Sequence, residues 1–117
     1  MEQIKRDLLE LNELILTGKA LEAFDKFYHD DVVMQENSAA PMAGKAANRE
    51  REIEFFSSIT EFRGAEVLET GFGDNVSFAV WHYDYTHKDW GVKNYTQVAV
   101  QNWKDGKIIK EVFYYGN

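Results

Sequence analysis

The sequence has no cysteine, only one proline (Pro41), and fewer basic than acidic side chains, 13 against 20. Without cysteine there is no disulfide, thiolate zinc site or thiol nucleophile, and the composition suits a reducing compartment, so a cytoplasmic location is expected. No run approaches the roughly 18 consecutive apolar residues of a membrane helix, so no membrane partner is expected. The chain opens on a charged amphipathic segment and not on the apolar stretch of a signal peptide. A net charge of −7 disfavours binding to a phosphate backbone, which needs clustered Lys and Arg. The basic residues instead alternate with acids, as in Arg49-Glu50-Arg51-Glu52. Nucleic acid is not an expected partner.

What is present is apolar and aromatic. Hydrophobic residues make up 44% and aromatic residues 15% of 117 positions, which suits one packed domain over 1–117. Ile4, Leu8, Leu11 and Ile15 recur at spacings of four, three and four, predicting a helix over 2–17 with Gly18 as its stop. A shorter helix follows over 19–28, with Leu21, Phe24 and Phe27 or Tyr28 inward. A strand at 32–37 and a small-residue loop lead to a third helix over 45–58, with Ile53 and Phe56 inward. Its charged face of Arg49, Glu50, Glu52 and Glu54 reads as solvated.

After Ile59 the apolar period drops to two. Residues 62–70, 76–87, 93–103 and 107–115 are rich in aromatic and β-branched side chains and read as consecutive antiparallel strands. Helices on one side of such a sheet make an α+β layer. The last strands are apolar on both faces, so the face not covered by helices is expected to meet a second copy in a homodimer. The turn at Asp105-Gly106 leaves two registers open. A two-residue turn pairs Trp103 with Ile108 and puts Glu111 beside Val98, Val100 and Phe113; a bulged turn puts it beside Gln97, Ala99 and Gln101.

Chemistry-bearing residues are few. Glu36 shares an alternating strand face with Val32 and Met34, so it is either a desolvated base or a carboxylate reaching solvent at the strand end. Glu111 lies among Ile109, Phe113 and Tyr115, as a pocket carboxylate or as the partner of a basic residue such as Arg63. His82 and Asp84 project from one strand face about 7 Å apart and are candidate polar pocket partners. Trp81 is a candidate wall residue, with Tyr83, Trp90, Tyr95 and Trp103 as further rings. His29, His82 and His87 lack ligand spacing, so no metal is expected. No serine sits on a nucleophile elbow.

The helix pair ending in Phe27-Tyr28, the strand from Asp31 to Asn37, the helix opened by Gly44, and Trp103-Lys104-Asp105-Gly106-Lys107-Ile108 running into Glu111-Val112-Phe113-Tyr114-Tyr115 resemble the SnoaL-like branch of the nuclear-transport-factor-2-like superfamily. The resemblance implies a cone-shaped, cystatin-like α+β fold, in which three N-terminal helices pack on a strongly bent antiparallel sheet that encloses a pocket. It also implies a small, largely apolar ligand and, in an enzyme, isomerase, cyclase or dehydratase proton chemistry without a cofactor. The alternative within the same fold is a non-catalytic ligand-binding or protein-association domain. Glu36 occupies the place of the ketosteroid isomerase base. The places of that enzyme's oxyanion hole hold Leu11 or Asn12 and Val98 or Ala99, so steroid isomerisation is disfavoured.

Overall fold

A computed structural model describes residues 2–116. In chain order the elements are α1 (Glu2–Leu16), α2 (Ala20–Phe27), β1 (Tyr28–Glu36), β2 (Met42–Ala43), α3 (Lys45–Ser57), β3 (Ile59–Gly73), β4 (Val76–His87), β5 (Gly91–Lys104) and β6 (Lys107–Tyr115). The apolar stripe of α1 buries Leu8 and Leu11 completely or nearly so. Each such leucine is worth roughly 2 kcal/mol of transfer free energy. Gly18 ends the helix at φ +81°, a backbone angle that side chains resist, and the Lys19 N–H caps the Leu14 carbonyl at 2.8 Å. That reversal lays α2 against α1, and Phe24, Phe27, Val32, Trp103 and Ile108 complete the core beneath them.

The six strands run in the order β2-β1-β6-β5-β4-β3, and β1 pairs with β6 in parallel. This corrects the expectation of a strongly bent, antiparallel, cone-shaped sheet. The sheet is mixed and open, neither strongly curled nor closed. Parallel pairing arises because the last strand of the meander returns beside β1, and a parallel pair requires a long crossover, here most of the chain. The two-residue β2, which lies in the expected loop, takes the sheet edge beside β1.

Tyr28 was expected to finish a helix. It instead starts β1, with φ −101° and ψ 133°, and stacks on Phe24 with ring centroids 4.5 Å apart. At the last hairpin both alternatives contribute. Asp105 and Gly106 take φ +54° and +78°, so Lys104 pairs with Lys107 and Trp103 with Ile108, as in a two-residue turn. An extra residue, Ile109, then shifts the ladder, pairing Asn102 with Lys110 and Gln101 with Glu111. Glu111 therefore shares the helix-covered face with Gln97, Ala99 and Gln101, while Phe78, Val80, Val98, Val100 and Tyr114 occupy the other.

Candidate functional site

Between the covered face of the sheet and the helices lies a cavity of about 1410 Å³. Its walls include Leu11, Phe55, Trp81, Tyr83, Tyr95 and Phe113, and Trp81 stacks on Tyr83 with centroids 5.4 Å apart. The polar side chains facing it include Asn12 on α1, Glu52 on α3, Gln97 and Gln101 on β5, and Glu111 on β6.

Glu111 is fully buried and held by neutral donors. Tyr28 donates its phenolic proton to Oε1, and the Gln101 amide donates to Oε2 at 2.9 Å. Gln101 is oriented in turn. The Trp103 indole N–H can only donate, and it reaches Ser77 Oγ at 2.9 Å; the Ser77 hydroxyl must then give its own proton to Gln101 Oε1, 2.8 Å away. Burial drives the Glu111 carboxyl up to about 7, against the pull of the Tyr28 and Gln101 hydrogen bonds.

Glu52 is different. Asn48, Glu52 and Phe55 recur at i, i+4 and i+7, one helix face. Asn48 is buried, donating to the carbonyls of Met42 at 3.0 Å and Gly44 at 2.8 Å at the helix entry. On the far side Arg49 forks onto the Asp25 carboxylate of α2 at 2.7 and 3.0 Å. The charged run read as solvated is thus divided: Glu50 and Glu54 are exposed, while Glu52 turns into the cavity. Among the described residues the Glu52 carboxyl makes no hydrogen bond or ion pair. Burial, then the charges of Glu111 and Glu36, push it up to about 7, and only Arg51 opposes them. Tyr83 is also raised, by burial first and then by Glu111 and Glu52, and its hydroxyl has no partner among the described residues.

The expected site residues separate into three groups. Met34, Trp81 and Glu111 line the cavity interior. Glu36 lies at the cavity's margin, its side chain 47% exposed, with Arg51 Nη2 at 3.4 Å and the Tyr115 hydroxyl at 3.3 Å. Of the two readings its strand pattern left open, this geometry is that of a carboxylate reaching solvent at the strand end, here facing a guanidinium. His82 and Asp84 stand on the opposite face of β4 and do not line the cavity. His82 lies 3.4 Å from the Thr96 hydroxyl, and Asp84 accepts from Arg63 at 2.8 Å. Strand alternation put them together correctly, but on the wrong side, because Trp81 and Tyr83 take the inner face. Arg63 is thereby committed to Asp84 and Glu61 and does not reach Glu111. Trp103 packs in the core beneath α1 and α2 and not in the cavity wall. Among the described residues no group of three His, Cys, Asp or Glu side chains has metal-site geometry, and no helix is long and apolar enough to cross a membrane.

Helices on one face of a mixed sheet, with an apolar cavity and a few convergent polar groups between, give an α+β fold with room for a small molecule. The chain belongs to the SnoaL-like family: the SnoaL-like domain profile matches residues 5–115. Among solved structures it is similar to a Mesorhizobium loti protein provisionally named a SnoaL-like polyketide cyclase, at 25% identity and TM-score 0.87, covering 96% of this chain and 98% of that one. A nuclear-transport-factor-2-like protein of unknown function from Burkholderia xenovorans superposes with TM-score 0.80 at 17% identity, over 99% of this chain and 84% of that one. An epoxide hydrolase from Mycobacterium tuberculosis does so with TM-score 0.78 at 13% identity, over 98% and 84%. At the last two identities the likeness is one of fold. No functionally curated protein matches the sequence.

Proposed function

We propose that this protein binds a small, largely apolar molecule in its cavity and moves a proton next to a carbonyl of that molecule, without a cofactor. The reaction class is isomerisation, cyclisation or dehydration through an enol. The reading is carried by one observation: Glu52 and Tyr83 present a carboxyl and a hydroxyl to the cavity, and among the described residues neither has a partner. Glu52, titrating at about 7, is a base matched to neutral solution. Tyr83 is held in its protonated form by burial and so can donate to the carbonyl oxygen as charge develops there. Glu111 has both oxygens engaged and serves to position the site.

The test is exchange of the α-protons of a benzo-fused cyclic ketone, 2-tetralone, in deuterated water, followed by NMR. The wild-type chain should accelerate exchange over buffer by about 10²-fold or more, and Glu52→Gln should return it to background with ketone affinity unchanged. Glu36→Gln should keep most of the activity. Equal exchange by wild type and Glu52→Gln would remove Glu52 as the base.

A second reading, non-catalytic binding, is favoured by the same two hydrogen bonds on Glu111, which engage both its oxygens and keep it from serving as the acid–base partner of Glu52. It predicts saturable quenching of Trp81 by the ketone with no exchange. In either reading the chain pairs with a second copy through the outer sheet face, supported by the apolar patch of Phe78, Val80, Val98, Val100 and Tyr114. A cytoplasmic setting suits the cysteine-free composition.

A further inference from the structure

The cavity is apolar over most of its wall, yet the ionisable groups at its centre are carboxylic. Glu52 comes from α3 and Glu111 from β6, and neither meets a cation among the described residues. Arg51, the basic side chain closest to them in effect, is held by Glu36 of β1 at 3.4 Å. Lys19 and Lys93 also line the cavity but make no hydrogen bond or ion pair with either carboxyl among the described residues. The phenols of Tyr28 and Tyr83 complete the groups facing Glu52, and neither brings positive charge.

A second, independent feature points to a ligand. Asn12 and Gln97 are 6% and 8% exposed and line the same cavity, yet their side-chain amides make no hydrogen bond among the described residues. Among the described residues no fully buried side-chain nitrogen or oxygen lacks a partner, so the unbonded amide atoms of Asn12 and Gln97 open onto the cavity, where a ligand can meet them. Their carbonyl oxygens are acceptors, as both Glu52 oxygens are. The surrounding rings of Phe55, Trp81 and Tyr83 add π faces that attract cations.

We infer that the ligand is an organic cation, an apolar body carrying an amine whose ammonium group is held by Glu52 with the Asn12 and Gln97 carbonyls as further acceptors. A carboxylate or phosphate placed beside Glu52 and Glu111 would meet like charge and should bind more weakly than a cation. The inference rests on the cavity's binding a small molecule and not on Glu52 acting as a base. The two roles separate under Glu52→Gln: a lost counter-charge weakens binding, whereas a lost base leaves affinity intact and abolishes exchange.

Cation binding also has a proton signature. An ammonium beside Glu52 offsets the repulsion from Glu111 and Glu36, so Glu52 ionises on binding and a proton leaves. Near neutral pH, calorimetry in buffers of different ionisation enthalpy reads that release directly.

The experiment compares three probes with one body: 4-phenylbutylamine, 4-phenylbutan-1-ol and 4-phenylbutyrate, titrated by calorimetry into the full chain. Above neutral pH the amine is expected to bind at least about tenfold tighter than the alcohol, with the butyrate weakest and with proton release near neutrality for the amine alone. Glu52→Gln should bring the amine to the level of the alcohol and leave the alcohol unchanged. Equal binding of amine and alcohol by the wild-type chain overturns the inference while the small-molecule reading stands. An amine preference that survives Glu52→Gln overturns it as well. Binding of none of the three at millimolar concentration removes both. The wild-type comparison decides even if the variant fails to fold.

Discussion

Gln101 and Glu111 face each other across β5 and β6, and the Gln101 amide donates to Glu111 Oε2 at 2.9 Å. The contact depends on one residue. Were Ile109 paired with Asn102 and not bulged, the ladder would run unbroken from the Asp105-Gly106 turn, and Glu111 would pair with Val100 and emerge on the outer face. Its carboxyl would then be solvated, and Tyr28, at the start of β1, would lose its acceptor.

Ser77→Ala tests the relay behind that contact. The substitution removes the acceptor of the Trp103 indole and the donor to Gln101 Oε1, stranding two groups in a buried site. Stability should fall by about 2 kcal/mol in urea unfolding. The Glu111 carboxyl should stay raised, because burial sets that direction and the substitution leaves it buried. A loss under about 0.5 kcal/mol would mean that water replaces the hydroxyl and that the relay contributes little to the fold.

Much of this molecule is legible in its sequence, and what escapes does so for physical reasons. The α1 stripe from Ile4 to Ile15 and the period-two strands after Ile59 are signals of local geometry, and the helices and strands follow them to within a few residues. Periodicity carries no record of which strands become neighbours, so the parallel β1–β6 pair and the open sheet were not visible. Glu52 was hidden by its company, since a Glu between Arg51 and Ile53 in a charged run looks solvated. The pattern Asn48, Glu52, Phe55 held the signal for its inward turn. His82 and Asp84 show the converse limit: alternation tells which residues share a face and not which face is inside.

The pH dependence of stability follows from Glu52 and Glu111, each raised from the ordinary 4.5 to about 7 in the folded chain. Between these values the folded chain binds more protons than the unfolded one, so stability falls as pH rises. The contribution is fully present below 4.5, fades as pH climbs, and is gone above about 7. Glu52→Gln cannot ionise and escapes the loss. It should match the wild type in thermal stability at acid pH and exceed it by on the order of 2 kcal/mol at about pH 8. Asp25, lowered by its hydrogen bond to Arg49, works in the opposite direction but is common to both chains and cancels. Parallel stability curves for the two chains would show that Glu52 is solvated and not desolvated.

The outer sheet face makes the last prediction. In register, Phe78 stands beside Val100, and Val80 beside Val98, which pairs with Tyr114. Phe78 and Tyr114 are 38% and 50% exposed, so the patch is contiguous and open. A stable symmetric pair needs about 800 Å² from each partner, an area that the exposed parts of three long strands can supply. Tyr114→Glu would place two carboxylates near the axis of such a pair, where burial without a counter-ion costs several kcal/mol. Sedimentation velocity at micromolar concentration should then show a dimer for the wild type and a monomer for Tyr114→Glu. Leu9→Glu, at a site on α1 equally exposed at 50% but away from that face, should remain dimeric. Circular dichroism should be the same for all three, because Tyr114 leaves the core intact. A wild-type monomer, or a Tyr114→Glu dimer, would show that the outer face is not where two copies meet.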